Sequence, residues 1–426
     1  MSKRLIWWWK IIKHYLMNCS IHGVRYLVDG QLSYLERFFW LISCVLCWYG
    51  CALMIKNVII KYIEYPVAVT VETMYVDWKT PFPAVVFCIA NAKTITNNYF
   101  KKDVGLLSNY SNRKLLSATT EELLSAYDEM RIPCTELLDY CEWNRMTFNC
   151  CNEFHELRKS GVGHCIAMNT FHLSKVGEPG VRFFVNRTVQ NGDLTVNIKS
   201  LSRSITRVFS KHHRMFQIHV FPNLGLPTSS NTGMLVKVGK VARFDFTMFD
   251  TFNEDGVRAV AIQRRNCRFS EETQENSMFE IYSSDSCNLE VVIERMIQLC
   301  GCVHFYYSVP RGARVCNGTE MQCVIENKPN ILSQEMHERC LQNCDGTSLL
   351  INRWEETETM EEGLAYSRVH FKLLSKPTKR YRRYVANDLL DVTVSVGSAL
   401  GLFMGMSILS IFEIPYLLFI RRDEIT

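Results

Sequence analysis

From Val392 to Phe412 the chain carries 21 uncharged residues, punctuated by Gly397, Gly401, Gly405, Ser395, Ser398, Ser407 and Ser410 and closed by Glu413. At 1.5 Å per helical residue the run is long enough to cross a bilayer core. Small residues let helices approach closely, and an acid at the edge of such a run faces a bundle interior or a wet path. A tightly packed anchor dimer would use the small residues alone. A pore-lining helix accounts for the carboxylate as well.

A second uncharged run, Phe38 to Ile55, lies between Glu36–Arg37 and Lys56. Its 18 residues extend through Val58, Ile59 and Ile60 if the Lys56 side chain snorkels. Lys3, Arg4, Lys10, Lys13, Arg25 and Arg37 precede this run, and Arg421 and Arg422 follow the C-terminal one. By the positive-inside rule both ends are cytoplasmic and the middle is outside. The expected organisation is a cytoplasmic segment 1–37, a first span 38–60, an external domain 61–385, a second span with its approach 386–420 and a tail 421–426. Lys10 and Lys13 interrupt the first apolar stretch, so no cleaved signal peptide is expected. Trp7, Trp8 and Trp9 among lysines fit an amphipathic segment at the inner interface, or a buried helix packed against its own channel. A net charge of +5 gives no reason to expect nucleic acid.

Of the 18 cysteines, 14 fall between the two runs, which implies an oxidising compartment and up to seven disulfides. Sequons at Asn109, Asn186 and Asn317 fit the same side. Cys300-Gly301-Cys302-Val303-His304 has the look of a zinc knuckle, but thiols oxidise outside the cell, so no metal site is expected. Two cysteines one residue apart pair elsewhere. Crosslinks along a helical pair would make a stiff rod, each contributing about 2–4 kcal/mol.

Alternating β-branched residues predict strands within 66–91, 181–198 and 214–221, and helices are expected over 115–130 and 287–299. Residues 241–262 read as two strands turning near Asn253–Gly256, and the acidic stretch Glu355–Glu362 as solvated surface. The external domain is therefore mixed α+β. Ser20-Ile21-His22-Gly23, taken alone, is a helix C-cap. There is no Gly-rich phosphate loop, His-Glu-x-x-His or Gly-x-Ser-x-Gly motif, and no enzyme activity is expected.

Several ordered motifs together resemble the degenerin/epithelial sodium channel family, in particular its insect pickpocket branch. They are Ser20-Ile21-His22-Gly23-Val24-Arg25-Tyr26, Pro81-Phe82-Pro83-Ala84-Val85, Cys141-Glu142-Trp143 and Gly163-His164-Cys165. Arg265-Asn266-Cys267-Arg268-Phe269, Cys300-Gly301-Cys302-Val303-His304-Phe305 and Gly401-Leu402-Phe403-Met404-Gly405-Met406-Ser407 complete the series, with Glu413 after them. The resemblance implies a trimer of two-span subunits with a hand-like external domain of palm, β-ball, knuckle, finger and thumb. It pairs Cys88 with Cys165, Cys141 with Cys150, Cys267 with Cys344, Cys287 with Cys340, Cys300 with Cys323 and Cys302 with Cys316, leaving Cys134 for Cys151. A further thumb bridge of the family is absent, its positions held by Val291 and Glu338.

By the same resemblance Gly405, Met406 and Ser407 form a selectivity filter that interrupts the second helix, so that carbonyls line the narrowest passage. Met406 is larger than the family's usual residue there, and Gly397-Ser398 replaces its usual Gly-Gly. His22 and Gly23 belong to a cytoplasmic gating segment, and Val394 stands at a gating position where the family favours small residues. Ser395 takes the place of an outer-pore acid, with Asp388 and Asp391 further out to concentrate cations, and Glu413 lies in the inner vestibule.

The expected function is an amiloride-sensitive sodium or cation channel subunit of the plasma membrane. It would be homo- or heterotrimeric with related subunits, opened by an extracellular chemical or mechanical stimulus, and need no cofactor beyond the permeating sodium ion. Two rival readings differ in class. A trimeric ATP-gated channel needs an external Lys/Arg cluster and another cysteine order, and a non-conducting adhesion protein has no use for Gly405, Ser407 and Glu413. The tail from Arg421 has no Pro-Tyr motif, which argues against ligase-controlled turnover.

Overall fold

The computed structural model describes residues 3–73, 78–89, 117–129, 131–157, 160–173, 180–186, 192–199, 215–228, 233–332, 339–357, 366–375 and 379–417. Asn109, Glu338, the 421–426 tail and the side chains of Trp7, Trp8 and Trp9 lie outside the described residues. The chain divides into two compact units. One comprises Met1–Val69, Glu254–Arg265 and Arg383–Thr426, the other Thr70–Asn253 and Asn266–Arg382.

Strands in chain order are β1 Val67–Glu72, β2 Thr80–Pro81, β3 Ala84–Ile89, β4 Leu138–Trp143, β5 Met146–Phe148, β6 His155–Leu157, β7 Cys165–Met168, β8 Phe184–Val185 and β9 Asp193–Lys199. They continue with β10 Met215–Phe221, β11 Met234–Lys237, β12 Val241–Asn253, β13 Cys267–Arg268, β14 Gln342–Asn343, β15 Gly346–Thr357, β16 Tyr366–Leu373 and β17 Arg380–Val385. One sheet runs β1-β17-β12-β16-β9-β4-β5, with β15 also on β12, and a second runs β11-β10-β3-β7-β6.

The second sheet explains why β3 is apolar at every described position. Side chains alternate across a strand, and here both faces are covered. Val85 and Phe87 join a core with Phe216, Phe244, Phe246 and Phe371. Ala84, Val86 and Cys88 face Leu289, Val292, Ile293 and Met296. Those four lie on the helix Ser284–Cys300 at helical spacing. Burying each large apolar side chain stabilises by about 1.5–3 kcal/mol.

That helix begins where Ser283 Oγ accepts from Ser286 N at 2.9 Å and Ser286 Oγ accepts from Ser283 N at 2.8 Å. It stops at Gly301, whose φ is +70°. Val291, at a position where the resemblance expects a cysteine, is buried in the same apolar cluster.

Seven disulfides tie this unit together: Cys88–Cys165, Cys134–Cys151, Cys141–Cys150, Cys267–Cys344, Cys287–Cys340, Cys300–Cys323 and Cys302–Cys316. The free cysteines, Cys19, Cys44, Cys47 and Cys51, belong to the other unit.

The reading of 241–262 as a strand pair is corrected. β12 is one long strand, and Asp255–Ala259 and Ile262–Arg265 are short helices. The polar residues at 253–256 start a helix instead of a hairpin, since Glu254 takes the extended N-cap conformation and Asp255 opens the first turn. The antiparallel partner of β12 comes from far along the chain, in β15. Of the acidic stretch Glu355–Glu362 the structure describes only 355–357, where Glu355 and Glu356 are partly accessible on β15 and Glu355 pairs with Arg353 at 2.5 Å; its remainder lies outside the described residues.

Candidate functional site at the broken apolar helix

The site lies within the helical unit. Its N-terminal helices are α1 Lys3–Asn18, α2 Val24–Val28 and α3 Tyr34–Glu64. α3 is long and apolar enough to cross a membrane. It extends beyond the uncharged run at both ends. Ser33 and Glu36 form a capping box at its start, Ser33 N donating to Glu36 Oε2 at 2.8 Å.

The C-terminal run is two half-helices, Leu389–Met404 and Ile408–Pro415, bent 69° at the break. Local chemistry places each end. Asp388 Oδ1 accepts from Asp391 N at 2.7 Å, and Asp388 N donates to Asp391 Oδ2 at 3.1 Å. At the other end Gly405 takes φ +65°, in the left-handed region, and its N–H returns to Gly401 O at 3.0 Å. Met406 N donates to Leu400 O at 3.3 Å. The second half-helix then starts as Ser407 N donates to Ser410 Oγ at 3.1 Å.

The turn between α1 and α2 docks on this break. His22 N donates to Met404 O at 2.9 Å, occupying a carbonyl at the helix end. The His22 ring lies against Gly405 so closely that any Cβ there would collide with it. Ser20 N donates to Glu413 Oε2 at 3.0 Å, and its hydroxyl meets Ser410 Oγ at 2.6 Å. Gly23, at φ +82°, leaves room for Cys44 Sγ of α3, which would sit 2.7 Å from an added Cβ. Tyr26 stacks on Trp40 with centroids 4.4 Å apart. Further along, Gly50 admits the Phe403 ring at 3.0 Å from the place of a Cβ. One short turn thus touches α3 and both half-helices.

The structure brings His22, Gly405 and, through Ser20, Glu413 into one cluster. Met406 and Ser407 form the connection between the half-helices. Val394, Ser395, Ser398 and Asp391 lie earlier on the first half-helix, on exposed faces away from the turn. Ser20, Ser410 and Cys44 had no role assigned from sequence; the signal for the first two was position, Ser20 two residues before His22 and Ser410 three after Ser407. Arg264 was also missed. Its guanidinium lies over the Tyr62 ring, 4.4 Å from the centroid, and donates to the Tyr62 carbonyl near the C-terminal end of α3. Asn317, one of the sequon asparagines, caps the helix Gly318–Glu326, accepting from Glu320 N at 2.9 Å.

The sequence model described as amiloride-sensitive sodium channel matches residues 15–417. Among relatives, the sodium channel protein Nach of Drosophila ananassae is 23% identical over 93% of this chain and 84% of its own length. Pickpocket protein 28 of Drosophila melanogaster is 23% identical, covering 96% of this chain and 78% of the relative. Pickpocket protein 11 of the same species is 22% identical, covering 96% and 75%. A cryo-EM structure of a proton-activated chloride channel aligns over 90% of this chain and 97% of its own, at 7% identity and a TM-score of 0.33, too distant to argue from.

Proposed function

The chain belongs to the amiloride-sensitive sodium channel family, and from that premise we propose that it is a subunit of a plasma-membrane channel conducting sodium along its broken C-terminal helix. α3 is one span and the half-helix pair the other, with both termini in the cytoplasm and residues 61–385 outside. Subunits assemble as a homo- or heterotrimer with related chains. Gly405, Met406 and Ser407 form the filter, where main-chain oxygens replace part of the hydration shell of sodium. Ser395, Ser398 and Asp391 line the approach, Val394 biases the gate toward opening, and Glu413 faces the inner vestibule. Sodium is the permeant and no cofactor takes part. Conduction is amiloride-sensitive and opens on an extracellular stimulus, and Asn109, Asn186 and Asn317 carry glycans.

One observation carries this reading: the His22–Gly23 turn holds the helix break through the Met404 carbonyl and the space above Gly405. A membrane anchor has no need of a second chain segment fitted to a glycine break. Voltage clamp of the chain in an otherwise silent cell, alone and with related subunits, tests it. Gly405→Asp and Glu413→Gln are expected to change cation current or selectivity at unchanged surface abundance, and Val394→Gly to lower resting current. If Gly405→Asp and Glu413→Gln both leave every cation current as in the parent, the pore assignment is wrong.

A further inference from the structure

Asn317 is a sequon asparagine built into a fixed local structure. Its Oδ1 accepts from Glu320 N at 2.9 Å and from Thr319 Oγ1 at 2.8 Å, while its own N–H donates to Glu320 Oε2 at 3.0 Å. Arg314 holds both carboxylate oxygens of Glu320 at 2.6 Å. Gly318 is buried and its N–H donates to Ala118 O at 3.0 Å. Met321 and Val324, on the same helix, join an apolar cluster. Two nested bridges pin the segment further: Cys302–Cys316 ends one residue before Asn317, and Cys300–Cys323 encloses it. Cys316 is fully buried, its N–H donating to Val303 O at 3.0 Å.

N-linked sugar transfer reads an asparagine together with a hydroxyl two residues on. Asn317 Nδ2 attacks the anomeric carbon of a lipid-pyrophosphate-linked oligosaccharide. The N–C bond forms, the carbon–oxygen bond to pyrophosphate breaks, the amide proton passes to solvent and the lipid pyrophosphate leaves. Both side chains must be presented on an open chain. Here the Thr319 hydroxyl is engaged with the amide oxygen, and the amide oxygen with the helix N–H. The folded segment therefore cannot receive a sugar. It can keep one, because the cap uses Oδ1 and leaves Nδ2 without a partner among the described residues.

We propose that sugar transfer to Asn317 competes with closure of the nested bridges, so that the order of the two events decides whether the finished domain carries a glycan there. The inference rests on the reading of Asn317 as a glycan site. Both cysteines of the inner bridge precede Asn317 in the chain, so oxidation can lock the segment first. Fast oxidation leaves Asn317 bare, and slow oxidation leaves it glycosylated. Occupancy thus records the redox state of the compartment in which the chain folded.

The test follows the full chain, pulse-labelled in cells, with Asn109→Gln and Asn186→Gln leaving Asn317 as the last sequon within 61–385. The readout is the fraction of total protein whose gel mobility shifts on endoglycosidase treatment, so a variant that fails to fold still reports. Partial occupancy is expected in this background. Cys300→Ser, Cys302→Ser, Cys316→Ser and Cys323→Ser together should raise the occupied fraction at least twofold. Cys134→Ser with Cys151→Ser, which removes a bridge packed on the other apolar cluster, should leave it unchanged. Equal occupancy in the background and the four-serine variant, or an equal rise without Cys134 and Cys151, overturns the proposal and leaves the glycan in place. No sugar in any form overturns the glycan assignment as well. Neither result bears on the pore.

Discussion

The two units of this chain are held together by different means. The disulfide-rich unit has seven covalent crosslinks and two large apolar clusters. The helical unit has four free cysteines, and its N-terminal turn is held by main-chain hydrogen bonds, a Ser–Ser contact and glycine spaces. Crosslinks act chiefly on the unfolded chain and cannot be released by a small change. A hydrogen bond contributes about 0.5–1.5 kcal/mol net, several-fold less than a long covalent closure. One unit is built to keep its shape, and the other is built from contacts that can exchange.

The largest expected effect breaks the covalent side of this contrast. Removing Cys88 and Cys165 together frees a closure spanning 77 residues, which costs about 4–5 kcal/mol in the chain-entropy account. Surface abundance should fall severely, whereas Cys47→Ser in the helical unit leaves it unchanged; surface biotinylation reads both. Acid is next. Burial pushes the His219 imidazole down to about 4. Below about 6.5 the unfolded chain takes up a proton that the native ring refuses, so stability falls as pH drops from about 6.5 to 4. The full loss is about 3 kcal/mol. Thermal midpoints of the purified protein should track this fall, and His219→Phe should flatten it.

On the helical side, Gly405→Ala forces a side chain into the left-handed region at about 1–2 kcal/mol, with the His22 collision added. We expect whole-cell current to drop at least tenfold while surface abundance holds. Ser20→Ala removes the hydroxyl contact to Ser410, a change of about 1 kcal/mol. Amide hydrogen exchange over residues 19–28 should quicken about fivefold with the β3 and β10 amides unaffected. The smallest effect is Asp388→Ala, where loss of the cap costs about 1 kcal/mol or less at an exposed end. Faster exchange confined to the first turn after Leu389 is the expected sign.

How much of this was legible in the sequence follows the range of the interactions. The apolar run in α3 and the strands around Ala84–Ile89 and Asp193–Lys199 announce themselves by composition and alternation over a few residues. The segment after Asn253 misled, because a polar Asn-Glu-Asp-Gly cluster serves a hairpin turn and a helix start equally well. The partner that decides between them, β15, lies about a hundred residues away. Gly397, Gly401 and Gly405 look alike in the sequence, yet only Gly405 ends the helix, because the Ser407–Ser410 box restarts it and His22 fills the vacant side. That contact joins residues nearly four hundred positions apart, and no local pattern encodes it. Asp388 and Asp391 were read by charge alone, while the structure gives both a second task as each other's backbone caps.

The hydrogen bond from His22 to the Met404 oxygen sets a threshold for any movement of the N-terminal turn. Were the turn to withdraw, that carbonyl would lose its donor, a loss of about 0.5–1.5 kcal/mol. Seat and turn are thus matched to each other: the contacts that would resist withdrawal are also the ones that define where the turn belongs.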